Sequence, residues 1–198
     1  MKLSRDFYRR DDVVAISNEL LGKVLCTRID GDQTKIVITE TEAYAGVTDK
    51  ASHAYGNKRT KRTEPMFGEG GTAYVYLCYG IHYLFNVVTN TSDIPHAVLI
   101  RAGTPATGTE LMLKRRNKAN LDKTLLGGPG SLAKALGITT DHTGLSLFGN
   151  QIWIEDQGIE IERKSVLVGP RVGVDYAADD AMRPYRFRLS LDRAGSLA

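Results

Sequence analysis

The chain has 198 residues, 26 Lys or Arg against 23 Asp or Glu, a net charge of +3 and 42% hydrophobic residues, the length and balance of one globular domain with its own core. The opening MKLSRDFYRRDD is charged, and no apolar run approaches the roughly 20 residues of a membrane span, so a cytosolic protein without a membrane contact is expected. Cys26 and Cys78 are too few and too far apart for a disulfide framework, a CxxC redox pair or a Cys-rich zinc site, and the small net charge permits a polyanionic partner without demanding one.

In chain order, Asp11 or Asp12 can cap a short helix whose apolar residues Val14, Ala15, Leu20 and Leu21 precede Gly22, a residue suited to the left-handed C-terminal position. A strand over 23–29 follows, turned by Asp30-Gly31-Asp32. The period then drops to two, and 35–44, 72–79, 81–89 and 97–101, rich in Val, Ile, Tyr and Thr, predict strands of one sheet. Helices are predicted over 109–118 and 131–136, the second closed by Gly137, and late strands over 151–155, 159–163 and 185–189. No repeat, low-complexity tract or linker divides the chain, so residues 1–198 are expected to form a single α+β domain.

Strand alternation places Ile36, Ile38, Glu40, Glu42 and Tyr44 on one face. Either the strand emerges into water after Ile38, or its carboxylates belong to a site. Tyr74, Tyr76 and Cys78 share a face, as do Leu84 with Asn86 and Leu99 with Arg101, so a floor of Tyr, Asn, Glu and Arg is available. Gly80 lets the chain turn and leaves Tyr79 at a hairpin tip, where its ring either folds back on the hairpin or wedges between base steps. Lys58-Arg59-Thr60-Lys61-Arg62 and Lys114-Arg115-Arg116-Asn117-Lys118 read as phosphate-binding runs or as solvated faces. The first lies in the loop between the Glu42 and Tyr74 strands. Gly127-Gly128-Pro129-Gly130-Ser131 reads as an ordinary helix start. The four histidines, His53, His82, His96 and His142, lack zinc spacing, and neither a GxSxG elbow nor a P-loop is present, so no metal and no nucleotide cofactor are expected.

Taken in order, Glu42-Ala43-Tyr44, His53, Gly71-Thr72-Ala73-Tyr74-Val75-Tyr76, Tyr79-Gly80, Asn86, Leu99-Ile100-Arg101-Ala102, Gly128-Pro129 and Arg171-Val172-Gly173-Val174 resemble the alkyladenine (3-methylpurine) DNA glycosylase family. The resemblance spans about Ala15 to Phe187 and, with a short N-terminus lacking a basic tail, suggests a bacterial-type member. It implies a curved, mostly antiparallel sheet with flanking short helices and a protruding hairpin. It also implies a monofunctional hydrolase that flips a damaged purine from duplex DNA and cleaves its N-glycosidic bond.

By the same resemblance, Glu42 is the general base, with Arg101 and the backbone carbonyl of Val172 holding its water. Tyr44, His53, Tyr76 and Leu99 form the base pocket, Asn86 obstructs the 2-amino group of guanine, and Tyr79 is the wedge. Lys58, Arg59 and Arg62 would follow the DNA backbone. The expected substrates are N3-methyladenine, N7-methylguanine, hypoxanthine and ethenoadenine, acted on by a cofactor-free monomer in the bacterial cytosol, associated with the nucleoid. The rival is a damaged-DNA-binding module without chemistry. It gains nothing from an acid such as Glu42 facing a phosphodiester.

Overall fold

The computed structural model describes residues 1–190. The period-two segments become β1 (Val24–Ile29), β2 (Asp32–Tyr44), β3 (Ala73–Cys78), β4 (His82–Thr89), β5 (His96–Thr107), β6 (Ile152–Glu155), β7 (Val166–Gly169) and β8 (Arg186–Leu189). All join one eight-stranded sheet ordered β3-β4-β5-β2-β1-β6, with β8 pairing β2 and β7. Each pairing is antiparallel. The long β2 organises the rest. β5 follows one of its edges, while β1 takes Asp32–Val37 and β8 takes Glu40–Glu42 on the other.

The helices are α1 (Arg5–Arg9), α2 (Val13–Glu19), α3 (Thr109–Arg116) and α4 (Pro129–Leu136). Asp12 caps α2 by accepting from the Ala15 N–H at 2.9 Å. Asn117 and Gly137, both left-handed, close α3 and α4. Ile16 and Leu20 of α2 and Leu132 and Leu136 of α4 pack against Ile36, Ile38, Val75, Phe85, Val87, Val98 and Ile100, forming the main core on one face of the sheet. The opposite faces of β3, β4 and β5 carry Tyr74, Tyr76, Leu84, Asn86, Leu99 and Arg101, and there the site forms. Among the described residues no helix is long and apolar enough to cross a membrane.

Strict alternation fails inside β2. The β2–β5 register shifts between Ile38 and Glu40, and Thr39 has no partner on β5. Before the shift, Ile36 and Ile38 face the main core; after it, Thr41 and Ala43 do, with the Thr41 hydroxyl donating to the Ser17 carbonyl of α2 at 2.8 Å. The extra residue reverses parity, as a bulge does. Glu40, Glu42 and Tyr44 therefore lie on the face opposite Ile36 and Ile38, which corrects the shared face read from alternation.

Three other differences have local causes. Residues 159–163 form no ladder; Ile159 and Ile161 bury their side chains by packing, Ile161 over Gly22, and the pairing strand lies further on, at β7. β5 continues past Arg101 to Thr107 through Gly103 and Pro105. A Cβ at Gly103 would sit 2.7 Å from the Val37 carbonyl oxygen, so the missing side chain is what allows the strands to cross there. α1 is only five residues long, too short to show a period, and is held by a Ser4 cap and the buried Tyr8.

Candidate active site

The bulge turns Glu42 toward a cavity of about 400 Å³, behind its lining residues. The carboxylate is fully buried, beneath Tyr44, Arg101 and Val172, all of which line the cavity. Its Oε1 accepts from the Val172 N–H at 2.8 Å, and its Oε2 accepts from the Tyr44 hydroxyl at 2.9 Å and Arg101 Nη1 at 3.3 Å. Arg101 also donates through Nε to Glu40 Oε1 at 2.8 Å, and that oxygen takes a second bond from Arg186 Nε of β8 at 2.7 Å. Glu42, Arg101, Glu40 and Arg186 thus form a chain of alternating charge. Burial alone would lower the Arg101 pKa; Glu42 and Glu40 outweigh it and hold the guanidinium above its ordinary value. Burial, then the Glu42 charge, pushes the Tyr44 phenol well up, so its hydroxyl stays a donor.

Val172 is positioned by its neighbour. Arg171 and Asp49 have fully buried side chains and form a two-pronged pair, with Arg171 Nη2 donating to Asp49 Oδ1 at 2.9 Å and Nη1 to Oδ2. The guanidinium also donates to the carbonyls of Ala43 at 2.9 Å and Asp180 at 3.0 Å, and lies 4.9 Å from the Tyr44 ring and 5.3 Å from that of Tyr185. Asp49 in turn accepts from the N–H groups of Ala45 and Ala51 at 3.0 Å each. One ion pair therefore ties the end of β2, the loop leading to His53 and the loop carrying Val172.

Aromatic rings make the walls. His53 stands edge-on to Tyr76 with ring centres 4.7 Å apart, and its Nδ1 pairs with the Tyr74 hydroxyl at 2.9 Å. Burial first, then the Arg62 and Lys58 charges, lowers the His53 pKa to about 4, so the ring is neutral near pH 7. Burial pushes Tyr74 up to about 12 and Tyr76 higher still. Asn86 donates its Nδ2 to the backbone carbonyls of Tyr74 at 3.1 Å and Leu84 at 3.4 Å, and lines the cavity with Leu99.

Tyr79 also borders the cavity, yet it is 91% exposed and has a φ of +50°, followed by Gly80 at +73°. Positive φ at both central residues is the mark of the mirror-image turns that fit a twisted hairpin, and the Ile81 N–H closes this one onto the Cys78 carbonyl at 3.1 Å. A bulky residue is costly in this conformation. Tyr79 nevertheless holds its ring out in water.

The basic loop divides. Arg59 is committed to Glu64 and Asp93 in ion pairs of 2.7 and 2.6 Å, and Lys58 is exposed. The Arg62 guanidinium lies 5.0 Å from the Tyr76 ring and lines the cavity, although the residue is exposed. In the second run Arg115 donates to the Ala135 carbonyl of α4 and Lys118 pairs with Asp122, which are structural engagements. The wall residue Tyr74 and the rim residue Tyr176 are absent from the predicted set. Tyr74 shares the parity of Tyr76, a signal that was available, whereas Tyr176 follows the Arg171–Val174 motif with no pattern to single it out.

Fold and site together define an α+β domain whose curled sheet holds an aromatic-walled pocket above a buried carboxylate. A family model for methylpurine-DNA glycosylase matches residues 6–193. Curated relatives carrying the name "Putative 3-methyladenine DNA glycosylase" include a Chlamydia felis protein, 45% identical over 97% of this chain and 98% of its own length. Others come from Desulfitobacterium hafniense, 44% identical over 95% of both chains, and Bacillus cytotoxicus, 44% identical over 94% of this chain and 95% of its own. The chain belongs to the methylpurine-DNA glycosylase family, enzymes of DNA repair by base excision.

Proposed function

We propose that this protein flips a damaged purine out of duplex DNA and hydrolyses its N-glycosidic bond with a water activated by Glu42. The observation that carries this reading is the burial of Glu42 directly beneath an aromatic pocket, with both carboxylate oxygens fixed by donors from three different segments. A flipped base enters beside Tyr44, His53 and Tyr76, whose rings supply stacking surface. Water then attacks C1′ of the sugar as the C1′–N bond breaks. Glu42 takes the water proton, the hydroxyl stays on the sugar, and the bond's electron pair leaves with the base.

An alkylated cationic purine such as N3-methyladenine or N7-methylguanine leaves neutral by this route. Hypoxanthine and ethenoadenine, uncharged at the start, need a proton as they depart. Arg101 and Val172 serve as the water-holding and carboxylate-holding groups, the Val172 N–H acting on Glu42 directly. Asn86 and Leu99 bound the pocket against normal guanine, Tyr79 fills the vacated stack, and Lys58 tracks the phosphates. Among the described residues no lysine lines the cavity, which supports hydrolysis without an imine intermediate and hence without strand cleavage. The protein acts as a cofactor-free monomer in the bacterial cytosol, at the nucleoid.

The test is base release from otherwise identical duplexes carrying N7-methylguanine, hypoxanthine or ethenoadenine, with alkali added afterwards. Free base, with strand scission only after alkali, is the expected result. Tight lesion binding with no release would favour the non-catalytic binding module.

A further inference from the structure

Arg59 and Arg62 belong to one loop but have different surroundings. Arg59 is neutralised by Glu64 and Asp93, whereas among the described residues no carboxylate lies within ion-pair distance of Arg62. The Arg62 guanidinium rests against Tyr76, itself a wall of the pocket, and lines the same cavity as Tyr44, His53 and Arg101. An uncompensated positive charge therefore stands at the place where a base must stack. We propose that Arg62 is a specificity-determining residue that biases the enzyme toward neutral lesions and against cationic ones.

The proposal rests on the glycosylase reading above, and its physics is simple. On entry and while it stacks, before hypoxanthine takes up the proton it needs to depart, an N7-methylguanine base carries one unit of positive charge more than hypoxanthine. A fixed cation at the pocket wall therefore favours hypoxanthine over N7-methylguanine in the bound complex. Tyr76 holds the guanidinium in place at the cavity wall through its ring face. The depressed pKa of His53, to which Arg62 contributes, shows the same charge acting on a neighbouring pocket group. A phosphate contact, the role read from the basic run, would instead act alike on every lesion.

The experiment measures affinity for duplexes carrying N7-methylguanine or hypoxanthine in one sequence context, in the Glu42→Gln background, for the protein with Arg62 kept and for Arg62→Ala and Arg62→Lys. Base release from both duplexes by the wild type is the control. Arg62→Ala is expected to raise the ratio of N7-methylguanine to hypoxanthine affinity by about ten-fold, and Arg62→Lys, which keeps the charge, to remain near the ratio seen with Arg62. Equal losses on both duplexes would make Arg62 a phosphate ligand and overturn the proposal, as would a ratio that falls or one that changes equally in both variants. Because Arg62 is exposed, the variants should fold, and unchanged thermal unfolding verifies this. A wild type that releases neither base would remove the glycosylase reading and this proposal with it, a result distinct from altered selectivity.

Discussion

The floor of the cavity and the tip of the β3–β4 hairpin belong to one sheet and are built on opposite terms. Beneath the cavity, Glu42, Asp49 and Arg171 have fully buried side chains and are held by partners from β2, β5 and the loops around residues 49 and 171. At the tip, Tyr79 is 91% and Ile81 71% exposed, and Tyr79 accepts an unfavourable backbone conformation to stay so. A buried polar group must find its partners inside the protein, because its desolvation cost is otherwise unmet. An exposed ring held in a costly turn is suited to a partner outside. The contrast matches the proposed division between chemistry beneath the cavity and extraction of the base at the tip.

The sharpest way to break that division is at Glu42. Glu42→Gln keeps the size and removes the base, so single-turnover base release should fall by about 10²–10⁴-fold while affinity for a lesion duplex is retained. Next, Asp49→Ala leaves the buried Arg171 charge unpaired and should lower the free energy of unfolding by about 3–5 kcal/mol, read by urea denaturation. Tyr79→Ser should leave it within about 0.5 kcal/mol. The same Tyr79→Ser change should cost about 1–3 kcal/mol of lesion-duplex affinity through lost stacking, measured by titration of a labelled duplex. Equal affinity would mean that the ring does not intercalate.

A further effect concerns pH. His53 titrates near 4 in the fold against an ordinary value of 6.5, because burial and the Arg62 and Lys58 charges disfavour its cation. The unfolded chain therefore takes up a proton first as pH falls. His53 contributes stability that is fully present above pH 6.5 and is lost as pH falls toward 4. Unfolding free energies of wild type and His53→Gln should diverge least near pH 4 and most above 6.5.

Much of this was legible in the sequence, for physical reasons that can be named. Period-two segments with Val, Ile and Tyr became strands, and the Gly80 turn put Tyr79 at the tip, because those features depend on neighbours a few residues apart. Tyr76, Asn86 and Arg101 met in one cavity because their strands pair in register as β3-β4-β5. The bulge at Thr39 was not legible, since an extra residue leaves no compositional mark, and it decides which face Glu42 occupies. The Arg171–Asp49 pair, separated by 122 residues, has no local pattern at all. The different surroundings of Arg59 and Arg62 depend on Glu64, Asp93 and Tyr76, which a run of positive charge does not reveal.

The most direct test of the division between floor and tip is to measure lesion-duplex binding and single-turnover base release on the same hypoxanthine duplex for Glu42→Gln and Tyr79→Ser. The account predicts that Glu42→Gln binds and does not release, whereas Tyr79→Ser binds weakly but releases base once saturating enzyme restores occupancy. Parallel loss of both properties in both variants would contradict it.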